Sequence, residues 1–282
     1  MKKIYSPLRY PGGKSRILNF MKDLIDKNSF KKNFTYIEPY AGGAGVALGL
    51  LLDGYVSKIF INDIDPAVNS FWNAIIKNHD KFIKKIEKTE ITIDEWKKQK
   101  EIYKNGIEGF NLGFSAFFLN RCNRSGILTA GCIGGLQQKG KYKIDCRFNK
   151  KDLINRIIEI SKFKNKIKIY KKDTLELLQK KEITQKLKNC LLYLDPPYYD
   201  KGYQLYRNHY KHEDHQNLAN LIKKIEGYWV ISYDNTIQIK EMYKEFKNRT
   251  FGLTYFAGNI KEGKEIIFFS KSIKKIPPIS LI

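Results

Sequence analysis

Apolar positions along this chain come in short runs whose spacing alternates between strand and helix. Thr35 to Ile37 predicts a short strand that ends at Glu38 and passes through Gly42-Gly43-Ala44-Gly45 into an apolar helix, Val46 to Leu52. Lys58 to Ile61 predicts a second strand, which ends at Asn62-Asp63-Ile64-Asp65-Pro66 before a helix that runs through Phe71 and Trp72. Strand, glycine turn, helix, strand and acidic residue is the opening of a nucleotide-binding βαβ unit.

The pattern then changes. From about Ala74 to Tyr103 it is Lys-rich and helical, and from Asn111 to Phe148 it is glycine-rich with no long periodic element, as in an inserted, loop-rich module. Helical spacing returns over Lys150 to Phe163, with Leu153, Ile154, Ile157, Ile158 and Ile160 apolar. Strands are predicted at Ile167–Tyr170, Leu191–Leu194 and Trp229–Ser232, with a helix from Gln216 to Ile225 between the last two. Gly252 to Ser270 reads as two strands joined at Lys261-Glu262-Gly263-Lys264, an antiparallel hairpin closing an otherwise parallel sheet. The domain reading is a catalytic unit of residues 1–73 and 149–282, with 74–148 inserted.

Charge narrows the partner. The 282 residues hold 52 Lys+Arg against 29 Asp+Glu, a net charge of +23, yet 42% are hydrophobic. That is enough apolar content for a folded core, so the chain is no disordered polyelectrolyte. An AT-rich genome would account for some of the lysine, but such an excess points to a polyanion such as nucleic acid. Between Asn111 and Phe148 the six basic residues Arg121, Arg124, Lys139, Lys141, Lys143 and Arg147 face one acid, Asp145. No apolar stretch approaches the roughly 18–20 residues that span a bilayer, and Met1 to Pro11 lacks a signal-type apolar segment. Cys122, Cys132, Cys146 and Cys190 lack C-x-x-C spacing. Reduced thiols in a cytoplasmic protein are the expectation.

The densest chemistry is Asp195-Pro196-Pro197-Tyr198 at the end of the Cys190–Leu194 run. Two prolines fix φ and hold Asp195 extended, which makes a rigid ledge with one carboxylate and one ring. A planar group bearing an amino substituent, such as an extruded adenine, can donate to Asp195 and a backbone carbonyl while stacking on Tyr198. A tight turn after a buried strand is the plain alternative. The glycine turn lets a ligand approach the backbone, and Glu38 before it favours a cationic or zwitterionic ligand over a phosphate. Asp63 at the strand end suits ribose hydroxyls, with Asp65 a rival and a helix cap the alternative for one of them. Asp173 is read either as a partner for an adenine amino group or as a cap. Lys14, near the start of an amphipathic helix, invites an acidic ligand group. His209, His212 and His215 lack zincin spacing, so no metal is expected.

Tyr10-Pro11-Gly12-Gly13-Lys14, Glu38-Pro39-Tyr40-Ala41-Gly42-Gly43, Asn62-Asp63-Ile64, Phe118-Leu119-Asn120-Arg121, Arg147-Phe148-Asn149 and Asp195-Pro196-Pro197-Tyr198 occur in that order. The chain thereby resembles the Dam-like, α-class DNA adenine-N6 methyltransferases from about Ser6 to Ser270. The resemblance implies a Rossmann-like seven-stranded mixed sheet that binds S-adenosylmethionine, with a target-recognition insert. It implies Tyr10, Lys14, Asp63 and Asp195 as cofactor contacts, joining Glu38, Gly42, Gly43 and Asp173. Asp195, Pro196 and Tyr198 become catalytic and base-stacking residues, and Arg147 a reader of a guanine edge. Arg121, Arg124, Lys139, Lys141 and Asn149 are expected on DNA with it. The expected partner is double-stranded DNA, with a separate cognate restriction endonuclease left open by the sequence and the enzyme a monomer or weak dimer. The family's glycine turn usually reads aromatic-x-Gly-x-Gly, whereas Tyr40-Ala41-Gly42-Gly43-Ala44 has Ala at the last glycine position, which leaves Gly43 or Gly45 for that role. Cytosine-N4 or RNA adenine methylation, or a catalytically silent DNA-binding protein, are the other readings.

Overall fold

The computed structural model describes residues 3–9, 17–30, 33–200, 210–255 and 261–279. Strands β1 (Thr35–Glu38), β2 (Lys58–Asn62), β3 (Ile167–Tyr170), β4 (Cys190–Leu194), β5 (Tyr228–Asp234), β6 (Lys247–Tyr255) and β7 (Lys261–Phe269) form one sheet in the order β3-β2-β1-β4-β5-β7-β6. The first five pair in parallel, while β7 runs antiparallel to both β5 and β6. The chain builds outward from β1 through β2 to β3, then returns to β4 on the other side of β1. Their carboxyl ends therefore flank the point where strand order reverses, which is where such sheets open a crevice.

β1 and β4 are buried along their whole length, as parallel strands covered on both faces must be. Tyr36, Ile61, Tyr193 and Val230 face one apolar layer. Ile37, Phe60, Leu192 and Ile231 face the other. The first layer is covered by α1 (Leu18–Lys27), α2 (Gly45–Leu52), α3 (Pro66–Lys77), α4 (His79–Lys88), α5 (Ile93–Asn105), α6 (Phe110–Cys122) and α7 (Lys150–Ser161). The second is covered by α8 (Thr174–Gln179), α9 (Lys181–Thr184), α10 (His212–Lys223) and α11 (Ile237–Met242). Phe82, Trp96, Phe114, Phe117 and Phe148 of the 74–148 segment share one core with the sheet residues of the first layer.

Three local expectations are corrected. Residues 110–122 form a helix, α6, rather than an aperiodic stretch. From Leu112 to Cys122 every residue is buried, so no polar face gives the helical period away. Gly113 lets α6 close on α3: a Cβ there would lie 2.5 Å from the Ser70 carbonyl oxygen. Lys261–Lys264 is not a turn but the start of β7, paired with Tyr255 back to Gly252. The turn composition is real, but the register carries the strands past it, and their connection lies outside the described residues. α10 starts at His212, a turn earlier than the apolar spacing indicates, because Asp214 accepts the Lys211 backbone N–H at 2.8 Å and closes the first turn.

Candidate active site

The ends of β1, β2 and β3 are tied together by one side chain. Asn62 donates from Nδ2 to the carbonyls of Pro39 (2.8 Å) and Lys172 (2.9 Å), and its Oδ1 accepts the Lys172 N–H at 2.9 Å. Trp72 Nε1 donates to the Gly42 carbonyl at 2.9 Å, which fixes the glycine turn to α3. Above these ends lies a cavity of about 1330 Å³ whose lining includes Glu38, Gly42, Gly43, Asp63, Asp173 and Asp195. The acidic residues predicted from four separate stretches of sequence thus line one cavity.

Asp63 and Asp65 take different roles. Asp65 caps α3, its Oδ1 accepting from Ala67 N (2.7 Å) and Val68 N (3.2 Å). Asp63 accepts the Gly42 N–H on Oδ2 at 2.8 Å and the Asp65 N–H on Oδ1 at 3.0 Å. Two acceptor positions remain on that carboxylate, because each oxygen carries two lone pairs. Burial pushes its pKa up to about 7, with the two N–H groups opposing and the Asp65 charge adding. Asp173 caps α8 through Leu175 N (2.8 Å) and Glu176 N (3.3 Å) and also lines the cavity, so both readings of that residue are compatible.

Glu38 is 4% exposed at the end of β1, and its Oε2 accepts the Ala47 N–H of α2 at 3.2 Å. Burial, then the nearby Asp195 charge, pushes its carboxyl well above the usual range. A cation set between these acids would relieve both penalties. In the turn that follows, Ala44 has φ 46° and ψ 34°, left-handed backbone. The Ala at the last glycine position therefore keeps the conformation that glycine adopts without strain.

Asp195 follows β4, and its Oδ1 accepts from Ser232 Oγ at 2.8 Å. Ser232 Oγ lies 2.8 Å from the Tyr193 hydroxyl. Because the serine's single proton goes to the carboxylate, Tyr193 is the donor to Ser232. Pro197 lines the cavity, and Pro196 and Tyr198 on either side of it in sequence are buried. The Tyr198 hydroxyl donates to Glu265 on β7, a side chain with no exposure. Asp234 at the end of β5 accepts the N–H groups of Tyr199 (2.8 Å) and Asp200 (2.9 Å).

One wall of the cavity is cationic. Arg9, Arg121, Arg147 and Arg156 line it. Burial lowers the Arg121 pKa to about 10, with Arg9 and Arg156 adding to the effect. Burial and then the Arg147 charge lower that of Arg9. Arg121 is 8% exposed and donates from Nε to the Arg147 carbonyl at 2.7 Å, so it holds the exposed Arg147 in place. Arg124, Lys139, Lys141 and Asn149 are exposed outside the cavity, and Asn149 caps α7 through Asp152 N at 3.1 Å.

Tyr10, Lys14 and His209 lie outside the described residues. His212 Nδ1 pairs with the Tyr199 hydroxyl at 2.8 Å. Buried His215 has Nδ1 3.1 Å from the Tyr233 hydroxyl, and burial pushes its pKa down to about 4. Among the described residues no cluster of three or more His, Cys, Asp or Glu is placed to hold a metal ion. Sequence reasoning missed Arg9, Arg156, Asn62, Ser232, Asp234 and Glu265. The common signal available for Ser232 and Asp234 was their place at the end of a predicted strand.

The profile of the D12 class N6 adenine-specific DNA methyltransferases matches residues 10–254. The Type II methyltransferase M.MjaIII of Methanocaldococcus jannaschii is 26% identical over 206 residues, covering 68% of this chain and 68% of that protein. The modification methylase StsI of Streptococcus sanguinis is 30% identical over 95 residues, covering 34% of this chain and 13% of that protein. Among solved structures, the rRNA methyltransferase AviRa of Streptomyces viridochromogenes aligns with a TM-score of 0.44 at 9% identity, covering 94% of this chain and 87% of that one.

Proposed function

The chain belongs to the D12 class N6 adenine-specific DNA methyltransferase family, and from that premise we propose that it methylates an adenine extruded from a short specific sequence of duplex DNA, with S-adenosylmethionine as donor. The observation that carries the reading is Asp195 Oδ1, fixed at 2.8 Å by Ser232 Oγ in the cavity that Asp195 lines together with Glu38, Asp63 and Asp173. The names of the two relatives, a Type II methyltransferase and a modification methylase, support a role in DNA modification, and a cognate endonuclease would be the companion of such a role.

The cavity suits that donor. S-adenosylmethionine bears a sulfonium and an ammonium, and Glu38, Asp63, Asp65, Asp173, Asp195 and Asp214 put six carboxyls around one cavity in a chain of net charge +23. Asp63, with acceptor capacity left over, would take ribose hydroxyls. Glu38 would take the ammonium, and Asp173 the adenine amino group. Gly42 and Gly43 would let the ligand approach the backbone, and Tyr10 and Lys14 would be further contacts. When bound, the donor supplies an electrophilic methyl group.

The protein's own part is to prepare the amino nitrogen. The lone pair of adenine N6 is delocalised into the ring. The Asp195 carboxylate and the Pro196 carbonyl, accepting both amino hydrogens, favour a pyramidal nitrogen with a localised lone pair. Tyr198 would stack on the base. The contribution is positioning and electrostatics without a covalent intermediate. Extruding the base costs a few kcal/mol, recovered in stacking and pocket contacts. Arg124, Lys139, Lys141 and Asn149 would contact the duplex backbone while Arg147 reads a base edge; Arg121, expected on DNA from the sequence, is buried and serves instead to hold the Arg147 backbone.

Asp195→Ala should abolish methyl transfer to duplex DNA while DNA binding persists. Near-normal turnover in that variant sinks the reading. Sequencing of modified bases in DNA from cells expressing the chain identifies base and site together, and modification at cytosine alone would replace adenine as the target.

A further inference from the structure

The loop that carries Asp195 is held by side chains of the paired strands β5 and β7, far away in sequence. Ser232 and Asp234 are two residues apart on β5 and so face the same side. Asp234 pairs directly with Glu265 on β7, and Ser232 with Ile267. From that side Ser232 holds Asp195 Oδ1 at 2.8 Å. Asp234 holds the Tyr199 and Asp200 amides, and Glu265 holds the Tyr198 hydroxyl. Ser232 and Glu265 have no exposure at all, so neither side chain is available to substrate.

Buried polar residues are costly unless they are partnered, and an apolar pair would fill the same space at less risk. Each of these two is partnered with one of the two side chains proposed to touch the base. Ser232 also receives the Tyr193 hydroxyl at 2.8 Å, which orients its own proton toward Asp195. A carboxylate free to rotate would present its oxygen to the amino group only part of the time. A tyrosine ring without its hydroxyl anchor would lose its fixed plane.

We propose that Ser232 and Glu265 are the positioning residues of the transfer site, Ser232 setting the Asp195 carboxylate and Glu265 setting the Tyr198 ring. The inference rests on the reading of Asp195-Pro196-Pro197-Tyr198 as the site of methyl transfer.

The test measures kcat, KM for duplex DNA, cofactor affinity by calorimetry and melting temperature for Ser232→Ala, Tyr198→Phe, Glu265→Leu and Glu265→Gln, beside Asp195→Ala. Ser232→Ala, Tyr198→Phe and Glu265→Leu should lower kcat by about tenfold to a hundredfold, the loss expected when a reacting group is misplaced by a fraction of its productive geometry. KM and cofactor affinity should stay within about threefold, because binding contacts are untouched. Glu265→Gln keeps an acceptor for the Tyr198 hydroxyl and should turn over within about threefold of the parent. If Glu265→Leu fails to fold, Tyr198→Phe removes the same bond from its other end and decides the matter. Full kcat in either Ser232→Ala or Tyr198→Phe, or losses confined to melting temperature, overturns the inference. An active Asp195→Ala brings down the site itself, whereas an inactive Asp195→Ala beside a fully active Ser232→Ala brings down the positioning role alone.

Discussion

The Asn120 side chain grips Arg9 by both of its backbone polar groups. Asn120 Oδ1 accepts the Arg9 N–H at 2.7 Å, and Asn120 Nδ2 donates to the Arg9 carbonyl at 2.7 Å. Nδ2 also reaches the Gly126 carbonyl at 2.8 Å. Arg9 Nη1 extends to the carbonyl of Asn123 at 3.4 Å. Arg9 is therefore docked on α6 and the loop after it, inside the stretch expected to recognise DNA, while the Tyr5 hydroxyl donates to Asp53 and the Ser6 carbonyl accepts from Arg156 of α7.

Asn120→Ala should cost about 1–3 kcal/mol, since three backbone groups lose their partner in a nearly buried place. Denaturant unfolding measures the loss. Hydrogen exchange at the Arg9 amide should accelerate more than at the sheet amides, and unchanged protection there would show that the segment is held by other contacts.

Ala44→Gly should stabilise the protein. The residue sits at φ 46° and ψ 34°, where an L side chain costs about 1–2 kcal/mol. The extra freedom of glycine in the unfolded chain returns roughly 0.4–1 kcal/mol of that gain. A net gain of about 0.5 kcal/mol in denaturant unfolding is expected, and a loss would mean that packing of the buried methyl outweighs the backbone strain.

Asp63 makes the protein pH-sensitive in a defined window. Its pKa is raised from 3.8 to about 7, so the folded state holds this proton more tightly than the unfolded chain. The stabilisation is complete below about pH 4 and is lost as pH rises through about 7. A ligand that donates hydroxyls to Asp63 prefers the ionised form, so cofactor affinity should strengthen between pH 6 and 8, the range spanning the shifted pKa. Asp63→Asn should weaken binding and flatten that dependence in calorimetry, and an equally steep curve in the variant would assign the titration to another group.

Base reading and phosphate contact separate by salt. Arg147→Ala should relax preference among DNA sequences while cofactor affinity holds. Lys139→Ala and Lys141→Ala should each weaken binding to all sequences alike and lower the slope of log affinity against log salt by about 1. Unchanged discrimination among sites in Arg147→Ala would remove that residue from readout.

What could be read in the sequence was local. Asp195-Pro196-Pro197-Tyr198, the glycine turn and the acids at strand ends are defined by residues next to one another, and strand periodicity placed them at one edge of the sheet. What escaped was long-range or featureless. Ser232 meets Asp195 across 37 positions and Glu265 meets Tyr198 across 67, and only sheet order brings them together. Asn120 and Arg9 are 111 positions apart. α6 escaped because a helix buried on every side lacks the polar stripe that marks its period.

On the proposed reading the cavity lining sorts the parts of a nucleotide by charge. Arg9, Arg121, Arg147 and Arg156 line it together with Glu38, Asp63, Asp173 and Asp195. A phosphodiester would be held by the guanidinium groups and would find no such partner among the acidic residues. The sugar and the base carry no net charge and would not be held there in the same way, so electrostatics would separate the parts of a nucleotide before any hydrogen bond to the base forms.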